Sequence, residues 1–223
     1  MLKLNFSALL LSCFPLFLFA QFSHIDIKEV DNGGVVPGRT YRVYAVMESE
    51  GDVIDAIFGE EDKILSIRGD KPFFQHPLGG GLASEITRIG VDKDPTLAYD
   101  SWVTIGYEDN YMNEVIAFPP ETSMFQNFED FGGEIRANNG AWFVLPDKRQ
   151  AMAPEDKRIL LMQLTSEGSI YGVINLHGRT AADFSETGEI ISGAELIQSE
   201  GVEFHIETKK CGILRRLFNS CNI

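Results

Sequence analysis

The sequence is poor in the residues that build metal and nucleophile sites. It has 3 cysteines and 4 histidines in 223 residues. The histidines, at positions 24, 76, 177 and 205, show no His-x-His or His-Glu-x-x-His spacing, so no zinc motif is present. No serine stands in a Gly-x-Ser-x-Gly elbow, and Gly79-Gly80-Gly81 lacks the Lys-Ser/Thr of a phosphate loop. These absences leave no residue that the sequence identifies as catalytic and no cofactor motif.

Long apolar runs are also absent, apart from one at the N terminus. Lys3 precedes an apolar stretch from Phe6 to Phe19, which falls short of the roughly 20 residues that a transmembrane helix needs. The stretch ends in a small-residue cleavage site at Ala20. We therefore expect a secretory signal peptide over residues 1–20, cleaved between Ala20 and Gln21.

Two other interpretations of the N terminus stay open. One is a retained anchor, which Pro15 disfavours because it interrupts the apolar stretch. The other is a lipoprotein anchored by a lipid attached to Cys13. The several apolar residues after that cysteine disfavour this interpretation. With the leader removed, the mature chain has no transmembrane segment, and the expected location is secreted or at the cell surface.

Basic residues are few relative to acidic ones. The chain has 19 Lys and Arg against 33 Asp and Glu, a formal net charge of −14, and loss of Lys3 with the leader makes it about −15. An acidic surface of this kind argues against nucleic acid and anionic membranes as partners of the main body. It is compatible with divalent cations.

Loss of the leader leaves two cysteines, Cys211 and Cys221, which bracket a basic C-terminal appendix over residues 209–223. Disulfides form and persist outside the cytoplasm, so we expect these two to pair; two free buried thiols are the alternative. A continuous helix would hold their Cα atoms about 15 Å apart, beyond the roughly 7 Å limit for a disulfide. The bridge therefore requires the chain to turn back near Asn219-Ser220.

Strand patterns dominate the remaining sequence, and helical patterns are brief. Short helical stretches are expected only near Leu82 to Arg88 and Glu121 to Phe128. We predict a mostly β fold, an antiparallel β-sandwich or open barrel with few short helices, in a single domain over residues 21–208. The predicted strands are residues 22–30, 40–48, 52–58, 64–68, 102–107, 140–146, 158–165, 169–176 and 202–208.

Three turn signals predict hairpins. Ser49-Glu50-Gly51 and Ser166-Glu167-Gly168 each separate two apolar strands, which we expect to pair with each other. Asn139-Gly140 predicts a third hairpin, with Ile135 and Trp142 on neighbouring strands. The repeated Ser-Glu-Gly order fits an internal duplication, although turn chemistry alone explains it.

Oxygen ligands for a cation are concentrated in one segment. Asp92 and Asp94 lie close together and Asp100 follows, and calcium binds several hard oxygen ligands from one loop. The segment lacks the glycine and the distal glutamate of an EF-hand, so a plain exposed turn is the alternative. Calcium at Asp92, Asp94 and Asp100 is the one cofactor that the sequence suggests.

Aromatic residues beside loops offer a second type of site. Phe73-Phe74 and the pair Tyr107 and Tyr111 are placed where exposed rings can stack on sugars, with core packing as the alternative. Trp102 and Trp142 stand inside apolar strands, and we expect both to be buried.

A longer motif resembles a known module. The residues Leu97-Ala-Tyr-Asp-Ser-Trp-Val-Thr-Ile-Gly106, preceded by Phe73-Phe-Gln-His-Pro-Leu-Gly-Gly80, are similar to a module of secreted bacterial proteins that often carry type IX secretion sorting domains. Residues 141–147 and 160–165 fit the same module, and the match covers roughly residues 41–176. The resemblance implies an exported, surface-associated β module and transfers no catalytic residue. This chain has its basic appendix where a sorting domain would stand.

These observations favour a non-catalytic secreted or cell-surface β module with a structural, adhesive or recognition role. Its expected partners are glycans or other surface proteins. One alternative is a secreted hydrolase that acts on polysaccharide through an unidentified carboxylate pair. Another is an adhesin stabilised by calcium.

Overall fold

The computed structural model describes residues 22–119, 123–145, 147–187 and 190–208. The leader with its Ala20–Gln21 cleavage site and the appendix with Cys211 and Cys221 lie outside the described residues, so the cleavage and the disulfide stay predictions. Within the described residues, no helix has both the length and the apolar character needed to cross a membrane.

The described chain is mostly strand, as predicted. The two α-helices are α1 (Arg88–Lys93) and α2 (Ser123–Phe131), and short 3-10 turns lie at Ala83–Glu85, Pro95–Tyr99 and Arg149–Ala151. The strands are β1 (Phe22–Val30), β2 (Arg39–Met47), β3 (Val53–Gly59), β4 (Leu65–Gly69), β5 (Trp102–Val103), β6 (Ile116–Phe118), β7 (Ile135–Ala137), β8 (Gly140–Phe143), β9 (Arg158–Ser166), β10 (Ile170–Arg179), β11 (Ala182–Phe184), β12 (Ile190–Gly193) and β13 (Leu196–Ile206).

Two antiparallel sheets form a β-sandwich and not a closed barrel. The smaller sheet has the order β1-β2-β9-β5. In the seven-stranded sheet β10 is central: β13 pairs along one edge, and β3 and β4 share the other edge. β8 and then β6 extend the sheet from β3, whereas β7 extends it from β4. β11 and β12 form a separate ribbon.

Apolar side chains from both sheets fill the space between them. β2 contributes Val43, Ala45 and Met47, and the opposite sheet contributes Ile57 and Leu176, all nearly inaccessible to water. The alternating pattern of β2 follows from the period of two in a strand, which directs every second side chain inward. Because each buried side chain of this size stabilises the fold by about 1.5–3 kcal/mol, this interior holds the two sheets together.

The two Ser-Glu-Gly segments do not close hairpins, so that prediction was wrong. β2 lies in the smaller sheet and β3 in the larger one, and the same holds for β9 and β10. β2 is already bonded to β1 on one edge and to β9 on the other, which leaves no edge for β3. Each segment is instead a corner that carries the chain from one sheet to the other, and at the first corner Gly51 has φ +82°.

The Asn139-Gly140 turn does not pair its flanking strands either. Ile135 lies in β7, which pairs with β4, and Trp142 lies in β8, which pairs with β3. β3 and β4 pair with successive stretches of the same edge of β10. β8 pairs with β3 and β7 pairs with β4, so β8 and β7 also lie end to end, one strand further from β10. The turn therefore moves the chain along the sheet instead of reversing it within one pair.

Asn175 stabilises the junction between β3 and β4. It is 1% exposed, and its Nδ2 donates to the carbonyls of Phe58 at 2.9 Å and Lys63 at 2.8 Å. Its Oδ1 accepts the Gly201 N–H at 2.9 Å. One side chain thus bonds two carbonyls at the change of strand and one N–H of β13, where the pairing of β10 with β13 is irregular.

The outer face of the smaller sheet is covered. Helix α1 and the two turns around it lie over this sheet, and Ile86, Leu97, Trp102 and Leu160 form a second buried cluster there. Val103 and Ile105 point to the interior between the sheets, whereas Trp102 packs in the outer cluster. On the seven-stranded sheet, by contrast, several side chains of the outer face are exposed or half-buried, among them Arg68, Tyr171 and His205.

Candidate functional site

The outer face of the seven-stranded sheet, called here the open sheet face, carries the candidate site. β10 runs through its middle, and Tyr171, Val173 and His177 alternate with buried residues, which places them on this face. Two depressions lie along the strand. From Val173 to His177 the distance is about 13 Å at roughly 3.3 Å per residue, so one extended ligand can contact both depressions.

Residues of three strands line the first depression, which measures about 580 Å³, and six of their side chains lie on the open sheet face. They stand in two rows across the sheet. Register places Arg68 of β4 and His205 of β13 on either side of Tyr171. The second row consists of Ser66, Val173 and Glu203.

The first row is a stack of three planar groups. The rings of Tyr171 and His205 are 4.5 Å apart between centroids with an interplanar angle of 13°. The Arg68 guanidinium lies 4.6 Å from the centroid of the Tyr171 ring. Both faces of Tyr171 are thereby in contact. His205 lies on β13, which has no further strand beyond it in the described residues, so the outer ring face of His205 is the one left for a ligand.

The second row supplies oxygen atoms around an apolar floor. The hydroxyl of Ser66 donates to Oε1 of Glu134 at 2.6 Å, so its oxygen is oriented to accept from a ligand. Glu203 is exposed and accepts hydrogen bonds through its carboxylate. Val173, half-buried between them, has no polar atom on its side chain.

The second depression, about 370 Å³, combines aromatic rings with a histidine. Phe58 lies in it, and Phe118 is 58% exposed at its border. Nδ1 of His177 is 2.6 Å from Oδ1 of the buried Asp55. This contact holds the imidazole in one orientation and leaves Nε2 as the nitrogen that Asp55 does not bind. Gln198 adds an amide to the lining.

The three predicted calcium ligands are not brought together as a group. Among the described residues, no set of three or more His, Cys, Asp and Glu has the geometry to hold a metal ion. Asp92 is exposed on α1. Asp94 accepts hydrogen bonds from the backbone N–H and the hydroxyl of Thr96 and contacts His76 Nε2 at 3.1 Å. Those contacts, that with Thr96 first, lower the pKa of Asp94 to about 2.

Asp100 is fully buried and not part of an exposed loop. Its Oδ1 accepts the His76 N–H at 2.7 Å, and its Oδ2 has no hydrogen-bond partner in the described residues. Burial raises the pKa of Asp100 to about 7, although nearby N–H groups of His76, Ser101 and Gly80 act to lower it. The Asp-Ser-Trp turn is anchored by bonds to backbone groups: Ser101 Oγ accepts the Thr165 N–H at 3.0 Å.

The triple glycine is surrounded by carboxylates, an environment that would repel a phosphate. A Cβ added to Gly79 would come within 1.7 Å of Asp100 Oδ2. Gly80 packs against Glu85 in the same way, and Gly81 donates its N–H to Glu129 at 3.0 Å. Burial raises the pKa of Glu129. The glycines are therefore needed for close packing of acidic side chains.

The aromatic residues singled out from the sequence are mostly inside. Phe73 is buried with its ring 5.5 Å from that of Phe128, and Phe74 and Tyr107 are half-buried. Of these residues, Tyr111 is the exposed one, at 67%, with the Arg88 guanidinium 5.7 Å above its ring. Trp102 and Trp142 are buried, as predicted.

Sequence reasoning missed the residues of the open sheet face. The alternation in Ser-Ile-Tyr-Gly-Val-Ile-Asn-Leu-His indicates that Tyr171 and His177 share one face of a strand. Nothing in the sequence aligns Arg68 and His205 with Tyr171, because strand register is a tertiary property.

No family model, no curated protein and no solved structure matches this chain. What the open sheet face binds must therefore be inferred from its own residues.

Proposed function

We propose that this chain is a non-catalytic, exported recognition module that binds a glycan on the open sheet face. The observation that carries the proposal is the ordered stack of Arg68, Tyr171 and His205 beside the oxygen atoms of Ser66 and Glu203. A sugar presents apolar C–H surfaces together with many hydroxyl groups. Planar side chains next to a few fixed polar groups match that chemistry.

The three groups of the stack are in contact in the absence of a ligand, which favours affinity. Binding normally loses free energy as flexible side chains are immobilised, about 0.5–1.5 kcal/mol for each one. Arg68 and His205 are held against Tyr171 at 4.6 Å and 4.5 Å in the free protein. A ligand that uses these groups therefore encounters a surface whose side chains are already in place.

The expected location supports the same function. A signal peptide would place the chain outside the cytoplasm, where glycans are abundant partners, and the resemblance to exported surface modules agrees with that location. The proposed recognition role is assigned to the open sheet face and not to the loop aromatics Phe73, Phe74 and Tyr107, because those three residues are buried or half-buried.

The proposal is tested with a glycan array on the mature chain, followed by calorimetry on the glycans that bind. The double variant Tyr171→Ala, His205→Ala should weaken binding at least about ten-fold, since the stack is lost. Tyr111→Ala is the matched control, because that exposed tyrosine lies on the covered side of the sandwich; its affinity should be unchanged. Melting curves check the fold, since cross-strand pairs contribute only about 0.2–1 kcal/mol each. Binding that survives the double variant and is lost with Tyr111→Ala would refute the site.

A hydrolase is the second candidate, and the Asp55–His177 pair favours it. A buried carboxylate that orients a half-buried histidine is the arrangement of a general base. It differs from the carboxylate pair expected from the sequence. An activity screen on polysaccharides separates the two functions: turnover that is abolished by His177→Ala would establish the hydrolase, whereas binding without turnover supports the recognition module.

A further inference from the structure

We infer that the ligand of the first depression is an acidic saccharide, and that Arg68 binds the carboxylate of a uronic acid residue. The inference rests on the proposed function and specifies the class of glycan. It begins from an arginine that stacks on a tyrosine and has no ion pair in the described residues of an acidic protein.

Arg68 stands without a carboxylate. Among the described residues, five other arginines each lie within 4 Å of an acidic side chain, namely Arg39, Arg42, Arg88, Arg136 and Arg158. Arg68 has no such partner in the described residues, although acidic residues outnumber basic ones 33 to 19. Its guanidinium contacts the Tyr171 ring instead, and that contact leaves the N–H groups along the edge of the plane available.

The geometry of a guanidinium suits a carboxylate in particular. Its N–H groups form a rigid fork that matches the two oxygens of a carboxylate, and charge-assisted bonds of this type are short and strong. Stacking on Tyr171 fixes the plane of the fork. The next row adds Ser66 and Glu203, whose oxygens accept hydrogen bonds from sugar hydroxyls.

The charge of the whole protein makes this local site the determinant of acidic binding. A net charge of −14 repels an anionic chain from most of the surface. Nonspecific attraction therefore contributes little, and an acidic saccharide binds only where a cation is held in place. A neutral sugar offers the fork only hydroxyl groups, whose hydrogen bonds are weaker than a charge-assisted pair, so acidic and neutral ligands respond differently to loss of Arg68.

The test uses matched pairs of trisaccharides: three uronic acid oligomers, built from galacturonate, glucuronate or guluronate, each with its carboxyl-reduced neutral counterpart. Calorimetry should show that at least one acidic member binds more tightly than its reduced partner. Arg68→Gln should weaken the affinity for that acidic ligand at least about ten-fold and change the affinity for its neutral partner by less than about two-fold. The affinity of Arg68→Lys for the acidic ligand should fall between those of the parent and Arg68→Gln, because an ammonium keeps the charge and loses the fork.

Arg149→Gln is the control for net charge. Arg149 also lacks an ion pair in the described residues, and it lies exposed in a different depression, so its loss should leave both affinities unchanged. If every pair binds equally, or if Arg68→Gln weakens acidic and neutral ligands alike, the inference is overturned while glycan recognition stands. If no saccharide of any kind binds the mature chain, both the proposed glycan recognition and the inference about acidic saccharides are refuted.

Discussion

Replacing Asp100 with asparagine should change how the stability of the protein depends on pH. Asp100 is 0% exposed and its Oδ2 is buried without a hydrogen bond in the described residues. Burial raises its pKa from 3.8 to about 7. In the unfolded chain the carboxyl group titrates near its ordinary pKa, so between about pH 4 and pH 7 the folded protein binds the extra proton.

The sign and size of the effect follow from that difference. A carboxyl group whose pKa is raised by folding stabilises the folded state least at high pH, so its contribution falls as pH rises from about 4 to 7. A pKa raised from 3.8 to about 7 corresponds to roughly 4 kcal/mol, as an order of magnitude. Above about pH 7 the loss is complete, because the group is ionised in both states.

Urea unfolding of the parent and of Asp100→Asn, followed by tryptophan fluorescence from about pH 4.5 to 8, measures the effect. Asparagine keeps an oxygen for the His76 N–H and has no charge to bury. Its buried NH₂ group costs free energy to the same extent at every pH. The free energy of unfolding of the variant should therefore rise relative to that of the parent by up to about 4 kcal/mol as pH rises. A difference that stays within about 0.5 kcal/mol across the range would refute the burial of an ionisable Asp100.

Three further predictions concern packing, the strand junction and calcium. Trp102→Ala should cost about 3–5 kcal/mol in urea unfolding or prevent folding, because the ring is 1% exposed; an unchanged stability would mean that it is not buried. Asn175→Ala should cost about 2–4 kcal/mol by the same assay, since three backbone groups lose their partner, and a neutral result would contradict the role of that junction. Calcium at Asp92, Asp94 and Asp100 would raise the melting temperature. We expect no rise, because Asp94 is already bonded to Thr96 and His76, and a rise would support the calcium-stabilised adhesin.

The fold class could be predicted because strand patterns are local. In β2 the residues Tyr41, Val43, Ala45 and Met47 alternate with more exposed ones, and that period of two marks a strand with one face in a core. The pairing of strands could not be predicted in the same way. A turn signal such as Ser49-Glu50-Gly51 shows where the chain changes direction, whereas the choice between a hairpin and a corner depends on which edges are already occupied.

The candidate site was harder to predict because its parts come from distant segments. Arg68, Tyr171 and His205 lie on three strands and meet only through register. Loop position suggested Phe73 as an exposed ring, yet it is buried against Phe128 of α2. Spacing alone predicts that Asp100 lies in an acidic loop, whereas its burial depends on packing against Gly79, which the sequence does not reveal.

The location of a bound glycan tests the central claim most directly. Amide chemical shifts of the mature protein, labelled with nitrogen-15, can be followed while a saccharide selected on the array is added. The account predicts that the largest changes lie on the open sheet face, at Arg68, Tyr171, Val173, Glu203 and His205. Changes confined to the opposite side of the sandwich around Tyr107 and Tyr111, with none on β10 or β13, would contradict it.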